Sequence, residues 1–164
     1  MPERPAKLWR DLEPEKRLAV ADAFWRDEQS QDIHAQRVEA IVAIARRLNF
    51  RAKSVQALPL EKRARYLAQM SDVSDAIASR ALIAYHFAMQ RPLMSAFLDA
   101  VGIAHENGLI TAEHVDAPDR QHVAAAVESL RRTTPAADLE IYLRTLVAVD
   151  GETWKELEGL LPLA

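Results

Sequence analysis

The sequence predicts an all-α protein, and three observations predict it. Of 164 residues, 49% are hydrophobic, with only 4 glycines and 8 prolines, the composition of an ordered helical chain with little material for strands. Apolar residues return at the 3.6-residue helical spacing in seven separate segments. Helix-start punctuation, a proline or a short polar capping residue, precedes most of them. The expected architecture is one domain over 1–164, a compact multi-helix bundle of antiparallel helical hairpins.

Residues 1–13 read as an amphipathic leader containing Trp9. Pro14 then starts a helix that runs to about Glu28, with Leu18, Ala21 and Trp25 along one side. A second helix from about Asp32 to Leu48 places Val38, Ile41, Val42, Ala45 and Leu48 in a stripe expected to be buried. These two helices make the first hairpin, 14–48. The second hairpin, 59–90, opens on "LPLEKR" at Leu58, an echo of "LEPEKR" at Leu12. Its second helix, Ala76 to Gln90, carries Ile77, Ala81, Leu82, Tyr85 and Met89 on one side and Ile83 and Phe87 on the other. An element apolar nearly all round belongs at a centre.

Residues 92–117 read as a helix from Pro92 to about Val101, stopped by Gly102, followed by an irregular loop rich in Gly, Asn, Asp and Pro. A third hairpin, 118–149, carries Val123, Val127 and Leu130 in its first helix and Leu139, Tyr142, Leu143, Leu146 and Val147 in its second. The C-terminal segment, 151–164, holds Trp154 and an apolar tail. Both end-lying tryptophans, Trp9 and Trp154, are expected to clasp the domain, with a partner interface as the other use of such side chains. Because the "EKR" starts return after 46 positions, a HEAT-like tandem stack is the second way to arrange the same hairpins.

The composition excludes several chemistries. The chain has no cysteine, so disulfides, thiolate metal sites, iron–sulfur clusters and cysteine nucleophiles are absent. Glycines at only 102, 108, 151 and 159 allow neither a phosphate-binding loop nor a dinucleotide fingerprint, and no G-x-S-x-G is present. The opening "MPERPAKLWRDLEPEKR" lacks a signal-like apolar stretch, and the longest apolar runs are far too short to span a bilayer. The expected address is the cytoplasm, without membrane contact.

Net charge is −3 but unevenly spread: residues 1–70 hold 14 basic and 10 acidic residues, and 71–164 hold 7 and 14. Within the basic part, Arg46, Arg47, Arg51, Lys53, Lys62, Arg63 and Arg65 face Glu61 alone. Arg46, Arg47, Arg51, Lys53, Arg63 and Arg65 are therefore the candidate binding residues, for a protein partner or a second copy meeting basic with acidic surface. Nucleic acid is the less favoured partner, because the one stretch resembling a helix-turn-helix, around Gly102, has no Arg or Lys where phosphate contacts require them.

A second candidate is a polar pocket between the 76–90 helix and the 103–119 loop, built from His86, His105, Glu106 and His114. It would take a small ligand or serve an enzyme. Glu113, Asp116, Asp119 and His122 lie nearby in sequence, but the histidines are nine and eight apart, not three or four. No metal and no cofactor is assigned on that spacing.

Overall fold

The structure, a computed structural model, describes residues 3–30 and 32–163. Met1 and Pro2 of the expected leader, Gln31 of the first hairpin and Ala164 of the tail lie outside the described residues. The rest is all-helical. Among the described residues there is no strand and there are ten helices: α1 (Pro5–Asp11), α2 (Pro14–Arg26), α3 (Ile33–Leu48), α4 (Ala52–Gln56), α5 (Leu60–Ala68), α6 (Asp75–Met89), α7 (Arg91–Val101), α8 (Arg120–Arg131), α9 (Ala136–Val149) and α10 (Lys155–Glu158). The seven longer segments expected from periodicity are all present. The three additions to the seven expected, α1, α4 and α10, have 7, 5 and 4 residues, and one or two turns carry too few positions to display a period.

The chain divides into two compact units, an N-terminal one over Pro5–Ala88 and a C-terminal one holding the described residues of 1–4 and 89–164. In the N-terminal unit the two helices with the echoed starts pack on each other: α2 lies along α5. Arg26 at the end of α2 bonds Glu61 at the start of α5 (3.4 Å), and the Arg63 guanidinium lies 5.1 Å over the Trp25 ring. The pair is therefore antiparallel, whereas equivalent helices of stacked repeats run the same way. Phe24, Val20 and Trp25 of α2, Ala64 and Leu67 of α5 and Ile77, Leu82 and Tyr85 of α6 are among the buried residues. Leu8 and Trp9 of α1 are completely buried.

The buried face of α3 is rotated from the expected stripe, and that of α2 keeps Ala21 and Trp25 of its stripe but not Leu18. Leu18 is 41% exposed and Val38 47%. On α2 the core face centres between Val20, Ala21 and Phe24, about a third of a turn from Leu18. On α3 it runs through Ile33, Ala40 and Ile44, with Arg37 in the middle of it. The Arg37 guanidinium donates to the carbonyls of Phe24 (3.1 Å) and Asp27, satisfying acceptors at the C-terminal end of α2 that have no intrahelical donor. A charged side chain on the inner face thus shifts the apolar stripe that a hydropathy reading selects. Met89, expected in the buried stripe of α6, is 64% exposed because it is the helix's last residue.

In the C-terminal unit α7 packs on α8, α8 on α9, and α10 on both. Phe97, completely buried, meets Tyr142 edge-on at 5.7 Å and Trp154 at 5.5 Å, so Trp154 sits in the core of its unit as Trp9 does in the other. Glu3 and Arg144 form a half-buried ion pair at 2.7 Å that ties the chain start to α9.

Gly102 ends α7 in the left-handed region (φ 77°), with Ile103 N–H bonding Leu98 O at 2.9 Å. No atom crowds the place a Cβ would occupy. Gly102→Ala is therefore expected to cost only the left-handed backbone penalty, about 1 kcal/mol, read as a shifted urea midpoint at unchanged slope. An unaltered midpoint would show that the chain leaves α7 by another conformation.

Candidate functional site

The six candidate cations separate into two environments. Arg46 and Arg47 occupy the last turn of α3, where the helix dipole favours positive charge. Asn49 then adopts the left-handed conformation (φ 56°) and Phe50 N–H bonds Ala45 O at 2.8 Å, closing the helix in a Schellman turn. Arg51 caps the start of α4 and Lys53 lies within it. The turn thus brings Arg46, Arg47, Arg51 and Lys53, all exposed, to one corner with a Phe50 side chain that is 46% exposed.

None of these four makes an ion pair or side-chain hydrogen bond with a described residue. Arg65 and Lys62 on α5 are likewise exposed and unpaired. Other arginines of the same unit are engaged: Arg26 by Asp22 (2.9 Å), Arg10 by Asp72 (3.1 Å), Arg80 by Asp32 (3.7 Å). Arg63 differs from the other five candidates. It is half-buried against Trp25, and burial, with the nearby Arg37 charge, makes its guanidinium easier to deprotonate than usual. It serves the α2–α5 contact more than the surface. A cleft of about 290 Å³ beside it is lined by Trp25, Arg26, Asp27, Glu28, Arg37 and Leu60, but its arginines are already held by carboxylates and carbonyls.

The histidine candidates lie in different units, His86 on α6 of the N-terminal unit and His105, Glu106 and His114 in the C-terminal one. His86 is buried, packed edge-on to Tyr85, and burial together with the Lys16 charge lowers its pKa to about 3. It is a neutral core imidazole. His105 staples its loop: its Nδ1 accepts from Gly108 N–H at 3.0 Å, so the neutral ring carries its proton on Nε2, 2.7 Å from Asp99 Oδ1. Both ring nitrogens are thereby committed. The staple holds a two-residue turn in which Asn107 (φ 49°) and Gly108 (φ 90°) let Glu106 and Leu109 exchange backbone hydrogen bonds.

His114 does face a groove, one that sequence reading placed against the 76–90 helix. Its walls come wholly from residues 101–122, it measures about 490 Å³, and its polar lining is His114, Asp116, Asp119 and His122. His114 Nε2 is 3.2 Å from Asp116 and His122 Nδ1 is 2.7 Å from Asp119. Asp119 also caps α8 through His122 N–H (2.8 Å), which holds its carboxyl below the usual range. A carboxylate-held imidazole is half of a general-base arrangement. No hydroxyl, thiol or amine side chain lines this groove to be activated, and both pairs stand open to water. Among the described residues no three His, Asp or Glu side chains gather as a metal ion requires.

No described helix is long and apolar enough to cross a membrane. Comparison with protein-family models, with curated proteins and with solved structures finds no match to this chain.

Proposed function

We propose that the chain is an interaction module whose working surface is the α3–α4 corner, and that it recognises an acidic macromolecular surface. The observation that carries this reading is the cluster of four exposed, unpaired cations at one corner with an exposed phenylalanine. Like charges gathered without counter-charges repel one another, and an anionic partner would relieve that repulsion while Phe50 supplied apolar contact. The alternative, a small-ligand or enzymatic groove at His114 and His122, lacks a second reactive group among its lining residues. Duplex nucleic acid would be drawn by the same charges and is the competing occupant that the test separates.

The test uses a fluorescein-labelled peptide of alternating Glu and Leu, with fluorescence anisotropy as the readout. The full chain is expected to bind it, and to bind less as salt rises from about 50 to 300 mM and the Debye length shortens. Arg47→Glu/Arg51→Glu/Lys53→Glu is expected to weaken binding by about tenfold or more, and His114→Ala/His122→Ala to leave it unchanged. Equal binding by the charge-reversed chain would sink the assignment. Tighter binding of a duplex DNA of equal charge would transfer the corner to nucleic acid.

A further inference from the structure

Resting on that reading, we propose that the partner seated on the α3–α4 corner is a second copy of this chain, presenting its α9–α10 corner. The two units carry opposite charge: Pro5–Ala88 holds 14 basic and 11 acidic residues, and the described residues of the C-terminal unit hold 7 and 13. The acidic excess has a focus. From the end of α9 through α10, Asp150, Glu152, Glu156 and Glu158 face Lys155 alone, and none of the four carboxylates pairs with a described cation. Val149, at the last position of α9, is 44% exposed beside them.

This corner is the counterpart of the basic one in form as well as in sign. Each is the end of a long helix turning into a very short one, and each carries one exposed apolar side chain, Phe50 or Val149, and four like charges that meet no opposite charge among the described residues. The end of α9 gains nothing from these carboxylates, because a helix C-terminus disfavours negative charge; locally Asp150 accepts from Thr153 N–H (3.2 Å) and Glu156 and Glu158 lie in the first turn of α10. A cationic partner would offset the charge that remains. Among the described residues no carboxylate pairs with Arg46, Arg47, Arg51 or Lys53, and every copy of the chain supplies a surface of the complementary sign.

Each copy offers one corner of either sign, so copies associate by pairing opposite corners, either reciprocally in a closed dimer or once per junction in a head-to-tail series. Either form should be strongly salt-dependent, since both surfaces are exposed and the contact begins as screened charge attraction.

Sedimentation velocity on the full chain is the test. Self-association is expected at about 50 mM NaCl and its loss at about 500 mM. Two variants, each checked for unchanged helicity by circular dichroism, carry the argument further: Arg47→Glu/Arg51→Glu/Lys53→Glu and Glu152→Lys/Glu158→Lys. Each alone is expected to stay monomeric. Mixed in equal amounts they are expected to associate, because the native acidic corner of the first meets the native basic corner of the second and the two reversed corners also match. A parent that stays monomeric at low salt overturns the inference, as does association surviving either reversal or a mixture that stays apart. A monomeric parent that still binds the acidic peptide would leave the interaction module standing with a foreign partner; loss of both would remove both.

Discussion

Trp9→Ala is expected to lower the stability of the chain by about 3–5 kcal/mol, the range for truncating a buried aromatic side chain. Trp9 belongs to a helix of seven residues, too short to hold together in water without tertiary contacts. What fixes α1 is therefore packing plus a few directed bonds. Leu8 and Trp9 are completely buried and Leu12 nearly so, while the indole N–H donates to Met70 O at 2.8 Å and the backbone N–H of Ala6 to Asp75 at 3.0 Å. The exposed Arg10–Asp72 pair adds little, as surface pairs do. Trp9→Phe keeps most of the apolar contact but leaves the Met70 carbonyl without its donor, a loss of about 1–2 kcal/mol. Urea unfolding followed by far-ultraviolet circular dichroism should order the three proteins parent, Phe, Ala. Because domains of this size are stable by only about 5–15 kcal/mol, the alanine chain should be partly unfolded near physiological temperature. An alanine variant within about 0.5 kcal/mol of the parent would mean that α1 adds nothing to the unit it packs against.

Both tryptophans near the chain ends are core residues, and their roles were legible because each stands in an amphipathic stretch with no other apolar anchor of comparable size. The longer helices were legible because over nine or more residues the apolar positions repeat often enough to display a period. Reading failed where tertiary structure placed a residue against its type. Arg37 on the inner face of α3 is polar by composition, yet it caps α2, and a stripe drawn to avoid it falls on Val38, which is exposed. The Asn107-Gly108 turn carries a two-residue turn signal that is lost inside a long irregular segment. The basic corner was readable as a cluster because its members are close in sequence and sit at a helix end. The histidine cluster was not, since His86 is drawn into one unit by the apolar run around it while His105 is bound into a turn of the other. The separation of Arg63 from the remaining cations depends on the antiparallel approach of α5 to Trp25, which no local pattern reports.

Acidification is expected to destabilise this chain through His86 beginning near pH 6.5, well above the range in which carboxylates take up protons. In the folded state burial, and secondarily the charge of Lys16, lowers the imidazole pKa to about 3; in the unfolded chain it returns to 6.5. Between those values the unfolded state binds a proton that the folded state refuses, so stability falls as pH falls. Above pH 6.5 both states are neutral and His86 contributes no slope; below about pH 3 both are charged and the slope vanishes again. At roughly 1.4 kcal/mol per pH unit, the loss reaches about 3 kcal/mol by pH 4. The groups set around the ring, Lys16 on α2 and the Tyr85 hydroxyl that Lys16 bonds at 3.0 Å, include a cation, so a charged imidazole would meet repulsion as well as lost hydration. His86→Leu removes the titration at similar volume, and His86→Gln removes it while keeping a polar head. The readout is the slope of unfolding free energy between pH 7 and 4, not its absolute value, so a variant of lower stability still answers the question. Carboxylates elsewhere contribute the same slope to all three proteins. If the parent and both variants run parallel, His86 takes up its proton inside the folded unit at an ordinary pH, and the unit must open around α6 to admit it.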